Sequence, residues 1–183
     1  NGIFTNRSSY NNQGGDYVNV GNTDPKWYAG LNNSIRFKGF QLDIFFQYTK
    51  RKNFNLFTDA NGAASFGRLR NTWTDYLDYW KQPGDQTTIP KPSAVANASV
   101  SLFSISSAAF SDASYLRLRN VAFSYKFSPS FSNKLVLNAL RLFAQGQNLL
   151  TITDYIGYDP ENASSNASIP PLKMFTFGLQ VTL

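Results

Sequence analysis

Phe175-Thr176-Phe177-Gly178-Leu179-Gln180-Val181-Thr182-Leu183 alternates without a break. Phe175, Phe177, Leu179, Val181 and Leu183 fall on one side, and Thr176, Gly178, Gln180 and Thr182 on the other. A period of two over this length is a β-strand with one apolar face. A soluble protein rarely leaves such a strand flat and unblunted, because its open edge pairs with other chains. In an outer-membrane barrel the same strand is ordinary. Its apolar face meets lipid, and ring closure removes the edge.

Working back from this strand, the same period recurs. Ala139–Asn148 sets Leu140, Leu142, Ala144 and Gly146 against Arg141, Phe143, Gln145 and Gln147. Ser114–Phe127 is a third strand with a fault: Leu116 and Leu118 share one parity, Val121, Phe123, Tyr125 and Phe127 the other. A one-residue slip flips every later side chain, so a β-bulge near Arg119-Asn120 is expected. Phe40–Lys50 sends Phe40, Leu42, Ile44, Phe46 and Tyr48 outward, and Gln41, Asp43, Phe45, Gln47 and Thr49 inward. Lys38-Gly39 is a hairpin turn joining it to Tyr28–Phe37. With Pro171–Leu183 the count is five strands.

The connections alternate short and long. Residues 1–27 read as a polar loop rich in Asn, Gly, Ser and Tyr. Residues 51–114 form a long polar connection. Within it Trp73, Tyr76, Leu77 and Trp80 repeat at three and four residues, which predicts a short helix over 70–81 ended by Pro83-Gly84. Residues 87–109 read as structureless and Ser/Ala/Pro-rich. Residues 149–170 make a second substantial loop. Long structureless loops are suspect in a compact soluble domain but ordinary on the outer side of a barrel. Bacterial barrels use an even number of strands. Five strands therefore imply an open antiparallel arc, all-β, cut from a larger transmembrane barrel with long external loops. The final strand would run from outside to periplasm.

Composition agrees. Of 183 residues, 16% are aromatic and only 15% charged, where soluble domains average about 25% charged. No cysteine or histidine is present, which removes disulfides, the usual zinc sites and the commonest catalytic base. No run of about 18 apolar residues predicts a transmembrane helix. The opening Asn1-Gly2-Ile3-Phe4-Thr5 is not a signal peptide, so the chain is expected to be a portion of something longer. The net charge is +6. Its cations are scattered, with small clusters at Lys50-Arg51-Lys52, Arg68/Arg70 and Arg117/Arg119, and no long basic run marks a nucleic-acid surface.

Three segments carry a family resemblance. Ser111-Asp112-Ala113-Ser114-Tyr115-Leu116-Arg117-Leu118-Arg119-Asn120, followed by Ser124-Tyr125, resembles a segment of the SusC-like TonB-dependent transporters of the Bacteroidetes outer membrane. Leu142-Phe143-Ala144-Gln145-Gly146-Gln147-Asn148-Leu149-Leu150-Thr151, with Tyr155, Gly157 and Asp159-Pro160-Glu161, is similar to another, and Phe175-Thr176-Phe177-Gly178-Leu179 to the family's terminal strand. Gly21-Asn22, Pro25-Lys26-Trp27, Gly30-Leu31-Asn32-Asn33 and Gly39-Phe40 also fit. The family often ends in Phe, where this chain has Leu183. The resemblance implies that residues 1–183 are a C-terminal segment of a barrel of about 22 strands with a plugged lumen. The plug domain and the TonB box are absent from this chain. It further implies import of glycans or peptides across the bacterial outer membrane, with a SusD-like surface lipoprotein as lid and energy from the TonB complex through the missing N-terminal region. The last strand would also be the signal read by the barrel-assembly machinery.

Candidate sites follow from residue type. A lipid-facing Arg costs about 2–4 kcal/mol at the bilayer midplane, so Arg117 and Arg141 are expected to face the lumen with Gln145; the parity of Arg119 stays open. These arginines would line the bore for a ligand or pair with plug carboxylates. Trp73, Tyr76, Tyr79 and Trp80 in the long loop are binding candidates by stacking, or anchors of the loop. Tyr48, Tyr125, Phe127 and Phe37, near strand ends, read as an interfacial belt against membrane lipid. Asp75 and Asp78 sit three apart, as a paired-carboxylate glycosidase would require, yet a polar loop accounts for them, and no enzyme is expected. Asp154, Asp159 and Glu161 offer too few oxygens for calcium; Asp159-Pro160 reads as a turn. No cofactor or metal is expected. Asn-X-Ser triplets at Asn6, Asn97, Asn162 and Asn166 arise by chance in such loops.

Two other architectures fit parts of this pattern. A soluble carbohydrate-binding β-sandwich would bury the same apolar faces against a second sheet. A complete small eight-stranded barrel would need further strands, for which Val100–Ile105 and Asp16–Val20 are available.

Overall fold

A computed structural model describes residues 19–58, 66–69, 71–95, 98–134, 136–162 and 169–183. The chain divides into two units. One is a sheet of five antiparallel strands in the order β1 (Trp27–Phe37), β2 (Phe40–Lys50), β5 (Tyr115–Lys126), β6 (Ala139–Thr153) and β7 (Met174–Thr182). These are the five predicted strands. The largest difference is at β6, which runs on past Asn148 to Thr153. The other unit holds the connections, with β3 (Lys52–Phe54) paired to β4 (Phe110–Asp112) and a short helix α1 (Ala98–Ser104).

The register of the large sheet lines up its apolar positions strand by strand. Ile35 opposes Leu42, Leu42 opposes Phe123, Phe123 opposes Ala144 and Ala144 opposes Phe177. The next row is Phe37, Phe40, Tyr125, Leu142 and Leu179. Beyond Arg119 the rows resume with the other parity of β5: Phe46 opposes Leu118, and Leu118 opposes Leu150. Both ladders shift there, between Phe45 and Phe46 on one side and between Leu118 and Asn120 on the other. Arg119 is thus the extra residue opposite β2. On β6 the compensating distortion falls at Asn148, whose φ of 52° is left-handed. The parity fault in the sequence is a real bulge, and it keeps one face apolar along the whole of β5.

This apolar face is not a protein core. Phe175, Phe177 and Leu179 are 66%, 78% and 59% exposed, and Leu31, Ile35 and Phe37 are exposed as well. A sandwich would cover one face of the sheet; among the described residues nothing does. Strands of 9 to 15 residues reach or exceed the roughly 9–11 that a tilted transmembrane strand needs. Aromatic contacts mark both ends of the band. Trp27 packs on Tyr48 with ring centroids 4.8 Å apart, and Phe40 on Tyr125 at 4.4 Å. Tyr125 continues to Phe127 and Phe131, the latter in the short helix α2 (Pro129–Lys134).

The connection unit, by contrast, has a core. Phe57, Phe66, Tyr76, Ile89, Val100, Phe103 and Ala109 are buried together. Phe57 meets Tyr76 edge-on at 5.3 Å and Phe103 at 5.2 Å. Two expectations are corrected here. Residues 87–109 are not structureless, because Val100 and Phe103, three apart on α1, both turn into this core. Val100–Ile105 accordingly supplies helix, not the strand that a small eight-stranded barrel would need. Asp16–Val20 adds none either: its described residues, 19 and 20, are irregular, and 16–18 lie outside the described residues.

The predicted helix over 70–81 shrinks to one 3-10 turn, Thr74–Leu77; Arg70 lies outside the described residues. Asp78 leaves helical geometry at φ −86°, ψ 44°. Its carbonyl accepts from the Thr87 hydroxyl, and the Trp80 N–H donates to the Ile89 carbonyl at 2.9 Å. A second helical turn would need those groups for itself, and the bridge from Tyr79 to Ile89 takes them instead.

On the polar face of the sheet, the Phe143 ring lies over Gly178. A Cβ added at Gly178 would sit 2.2 Å from Phe143 Cζ. Gly178→Val is expected to lower the stability of the intact protein in detergent by about 1–3 kcal/mol through overpacking. Adding Phe143→Ala should recover most of that loss. Thermal unfolding of the two variants checks both statements; equal midpoints for Gly178→Val and wild type would remove the steric account.

Candidate functional site

The polar face of the sheet is built from side chains at i, i+2 positions that bond across strands. Arg117 Nε on β5 donates to Thr151 Oγ1 on β6 at 3.0 Å. Arg119 Nε donates to Gln47 Oε1 on β2 at 2.7 Å, and its Nη1 reaches Asn148 Oδ1 at 3.5 Å. Arg141 Nη2 donates to Ser124 Oγ at 3.0 Å, and Gln145 Nε2 to Asn120 Oδ1 at 2.7 Å. Arg117, Arg119, Arg141 and Gln145 therefore share the face opposite Phe175 and Phe177. Arg119, whose parity the sequence left open, joins this face because the bulge turns it toward Gln47. Arg117 is 1% exposed, with its guanidinium carbon 5.1 Å from the centre of the Tyr115 ring. This basic pair is engaged within the sheet.

Two aromatics lie on the polar face as well. Phe143 covers Gly178, and Phe45 lies within 3.1 Å of where a Cβ of Gly30 would be. Each glycine gives room for a ring in an otherwise hydrophilic surface.

In the connection unit the four aromatic candidates separate. Tyr76 is 1% exposed and belongs to the core. Its side chain is not on the surface, because the single 3-10 turn points it at Phe57 and Phe66. Tyr79 packs against the same core through Phe66 at 5.7 Å. Trp73 stacks edge-on against Tyr158 at 4.8 Å. Trp80 is 37% exposed and Tyr158 54%. Trp73, like Tyr79, is half-buried against this core, so Trp80 and Tyr158 keep the most ring surface available, while Tyr76 keeps none. Tyr158 escaped the sequence reading because only the fold brings it to Trp73. Asp75 and Asp78 are both exposed, and without the predicted helix they have no common face to act as a carboxylate pair.

A polar bracket joins the two loops. Arg51 donates through Nη2 to the Thr23 carbonyl at 3.1 Å and through Nη1 to the Glu161 carbonyl at 3.4 Å. Asp159 is buried, and its Oδ1 accepts from the N–H groups of Glu161 at 2.8 Å and Asn162 at 3.3 Å. That is the Asp-Pro turn read from the sequence, with the carboxylate occupied by backbone. Among the described residues no group of three or more Asp, Glu, His or Cys could hold a metal. Asn6, Asn97 and Asn166, with the Ala163-Ser164 half of the third triplet, lie outside the described residues. Tyr155 Oη donates to the Phe54 carbonyl at 2.9 Å, and Asn55, buried, holds the Ala108 carbonyl and the Phe57 N–H through its side chain.

Burial pushes the Tyr155 hydroxyl up to about 12, with nearby Asp159 adding to the rise and Arg51 opposing it. A folded-state value above the unfolded one (about 10) stabilises the fold fully below pH 10. That contribution is lost as pH rises toward 12. Tyr155→Phe leaves the Phe54 carbonyl without this donor and is expected to cost about 1 kcal/mol. Protease should then cut the 51–113 connection faster at pH 8. In the wild type, tyrosinate absorbance should retain one late-titrating step that Tyr155→Phe lacks; identical titrations would contradict the assignment.

No family model matches the chain. It is similar to TonB-dependent receptor P3 of Formosa agariphila, with 34% identity over 179 residues, covering 88% of this chain and 17% of that receptor. It is also similar to TonB-dependent receptor P39 of the same organism, at 27% identity over 158 residues, covering 85% of this chain and 15% of the relative. Among solved structures it is similar to the RagAB peptide importer in its open-open state, with 27% identity and a TM-score of 0.66 over 88% of this chain and 17% of that one. The closed-closed state of the same importer matches at 26% identity and TM-score 0.66, over 91% of this chain and 19% of that one. The chain thus spans less than a fifth of the length of the relatives it matches.

Proposed function

This chain belongs to the SusC-like TonB-dependent receptors of the outer membrane, and we propose that it forms one wall of a TonB-energised importer of oligomeric nutrients. Its five-stranded sheet is an antiparallel arc of a large transmembrane β-barrel. The observation that carries the reading is the register. Across the five strands the rows keep one exposed face predominantly apolar and the other predominantly polar, and the bulge at Arg119 preserves that division along β5. In this reading Arg117, Arg141 and Gln145, with Arg119, face the lumen, and residues 1–183 are the C-terminal segment of a protein whose plug and TonB box lie upstream. The connection unit faces outward, where a SusD-like lipoprotein and the ligand would meet it.

The cargo is peptide or glycan; the likeness to a peptide importer favours peptide. Receptors and an importer, not enzymes, are the relatives, and no catalytic role is proposed for Asp75 or Asp78. Of the loop aromatics, Trp80 and Trp73 are the ones proposed to touch cargo or lid, since Tyr76 is committed to the core.

Uptake of labelled oligopeptides by cells carrying the intact protein should stop when an uncoupler collapses the proton gradient. Trp80→Ala should weaken peptide binding several-fold without moving the thermal midpoint. Tyr76→Ala should destabilise the connection by about 3–5 kcal/mol. Uptake that ignores the uncoupler would overturn the TonB-energised reading.

A further inference from the structure

We infer that the polar face of the sheet, beside its tight turns, selects acidic oligopeptides, with Arg36 and Lys126 as the residues that set the preference. This rests on the importer reading above and names the charge of its cargo. Charge is divided unequally along the chain. The stretches of the sheet unit, Pro25–Lys50, Ser114–Asp154 and Ile169–Leu183, contain ten lysines and arginines but only two side-chain carboxylates, Asp43 and Asp154. The stretches of the connection unit hold seven such cations against nine carboxylates. The net charge of +6 is therefore carried by the wall. Within its five strands Asp43 is the single carboxylate.

The register puts the unbalanced part of that charge at one corner of the polar face. Lys126 on β5 stands directly opposite Arg141 on β6, and Arg141 opposite Gln180 on β7. In the next polar row Arg36 on β1 opposes Gln41, and Gln41 opposes Ser124. All three cations are exposed. Like charges directly opposite in an antiparallel pair, with Cβ atoms about 4.5–5.5 Å apart, destabilise the pairing. Arg141 turns one donor aside, its Nη2 bonding Ser124 Oγ at 3.0 Å, but it keeps its charge. Asp43 lies one polar row beyond Arg36, accepts from Gln41 Nε2 at 2.8 Å, and can balance only one of the three. A counter-charge from outside the sheet relieves the repulsion, and spacing sets its size. Residues two apart on a strand are separated by about 6.6 Å and neighbouring strands by about 4.8 Å, so the Arg36 and Lys126 backbones stand roughly 12 Å apart. A single small anion does not span that distance. An extended peptide repeats its same-side carboxylates about every 6.6 Å and can meet both cations. A bore lined by cations favours anionic solutes and repels cationic ones, and lumen residues tune selectivity in barrels.

The test measures uptake of three labelled oligopeptides of equal length, one acidic, one neutral and one basic, by cells carrying the intact protein. The acidic peptide is expected to enter several-fold faster than the neutral one, and the basic one slowest. Arg36→Gln with Lys126→Gln should bring the acidic-to-neutral ratio close to one. Raised ionic strength should lower the same ratio in the wild type, because salt screens exposed charges. Lys173→Gln removes a cation that precedes β7, outside this corner, and should leave the ratio where it was. Equal uptake of the three peptides by the wild type, or a ratio that the double variant does not move, overturns the charge selectivity and leaves the importer standing. So does a ratio that falls as far in Lys173→Gln, which would make net charge responsible in place of the corner. Preference for an oligouronate over every peptide overturns the assignment to peptide. If no peptide enters at all, the importer reading falls with it.

Discussion

Side-chain parity is the constraint on which this sheet depends. A strand can keep an apolar face only while its residues stay in step, and the sequence of β5 goes out of step between Leu118 and Val121. Arg119 absorbs the slip. It stands as the extra residue against β2, and Asn148 takes a left-handed turn of the backbone on β6. Without that distortion, either Leu116 and Leu118 or Val121, Phe123 and Tyr125 would point to the polar side. The neighbours confirm the cost being avoided. Leu118 has Phe46 and Leu150 beside it, and Phe123 has Leu42 and Ala144. The bulge also decides where a charge goes, since Arg119 ends on Gln47 and not in the apolar rows.

Burial in this chain is inverted relative to a soluble domain. The well-ordered sheet, which should own the core, leaves its largest hydrophobes exposed. The long connections, which should be polar and open, bury Phe57, Phe66, Tyr76, Val100 and Phe103 together. Each unit answers its own solvent. Strands that face hydrocarbon gain nothing from covering their apolar side, because lipid is already an apolar phase. A connection of this length in water must order many residues at about 1–2 kcal/mol each, and only apolar burial offsets that. The buried asparagines Asn53 and Asn55 and the Tyr155–Phe54 bond then satisfy the backbone that burial strips of water.

What could be read in advance follows from this division. All five wall strands were legible, because a period of two is a local property that nothing but the two solvents sets. The bulge was legible for the same reason, as an error in that period. The connection was not. Its core residues are spread over 57, 66, 76, 89, 100, 103 and 109, with only Val100 and Phe103 at a helical spacing, and α1 hides in a Ser/Ala stretch. The spacing of Trp73, Tyr76, Leu77 and Trp80 promised a helix, and the hydrogen bonds of Asp78 and Trp80 to Thr87 and Ile89 overrode it. Among candidate site residues, Arg117, Arg141 and Gln145 share the polar face of the sheet because parity fixes it. Tyr76 did not keep its role, because whether a loop aromatic is core or surface depends on partners distant in sequence.

The polar face carries a further consequence for how such a wall works. Its donors are spent sideways. Arg117 bonds β5 to β6, Arg119 bonds β5 to β2, and Arg141 and Gln145 bond β6 back to β5. A guanidinium held between neighbouring strands stiffens the sheet against shear. Side chains bonded in this way make the sheet rigid. The exposed rings of Trp80 and Tyr158, outside the sheet, are not tied down by cross-strand bonds of this kind. Parity and lateral hydrogen bonds thus fix the same sheet geometry twice, once through the apolar face and once through the polar one.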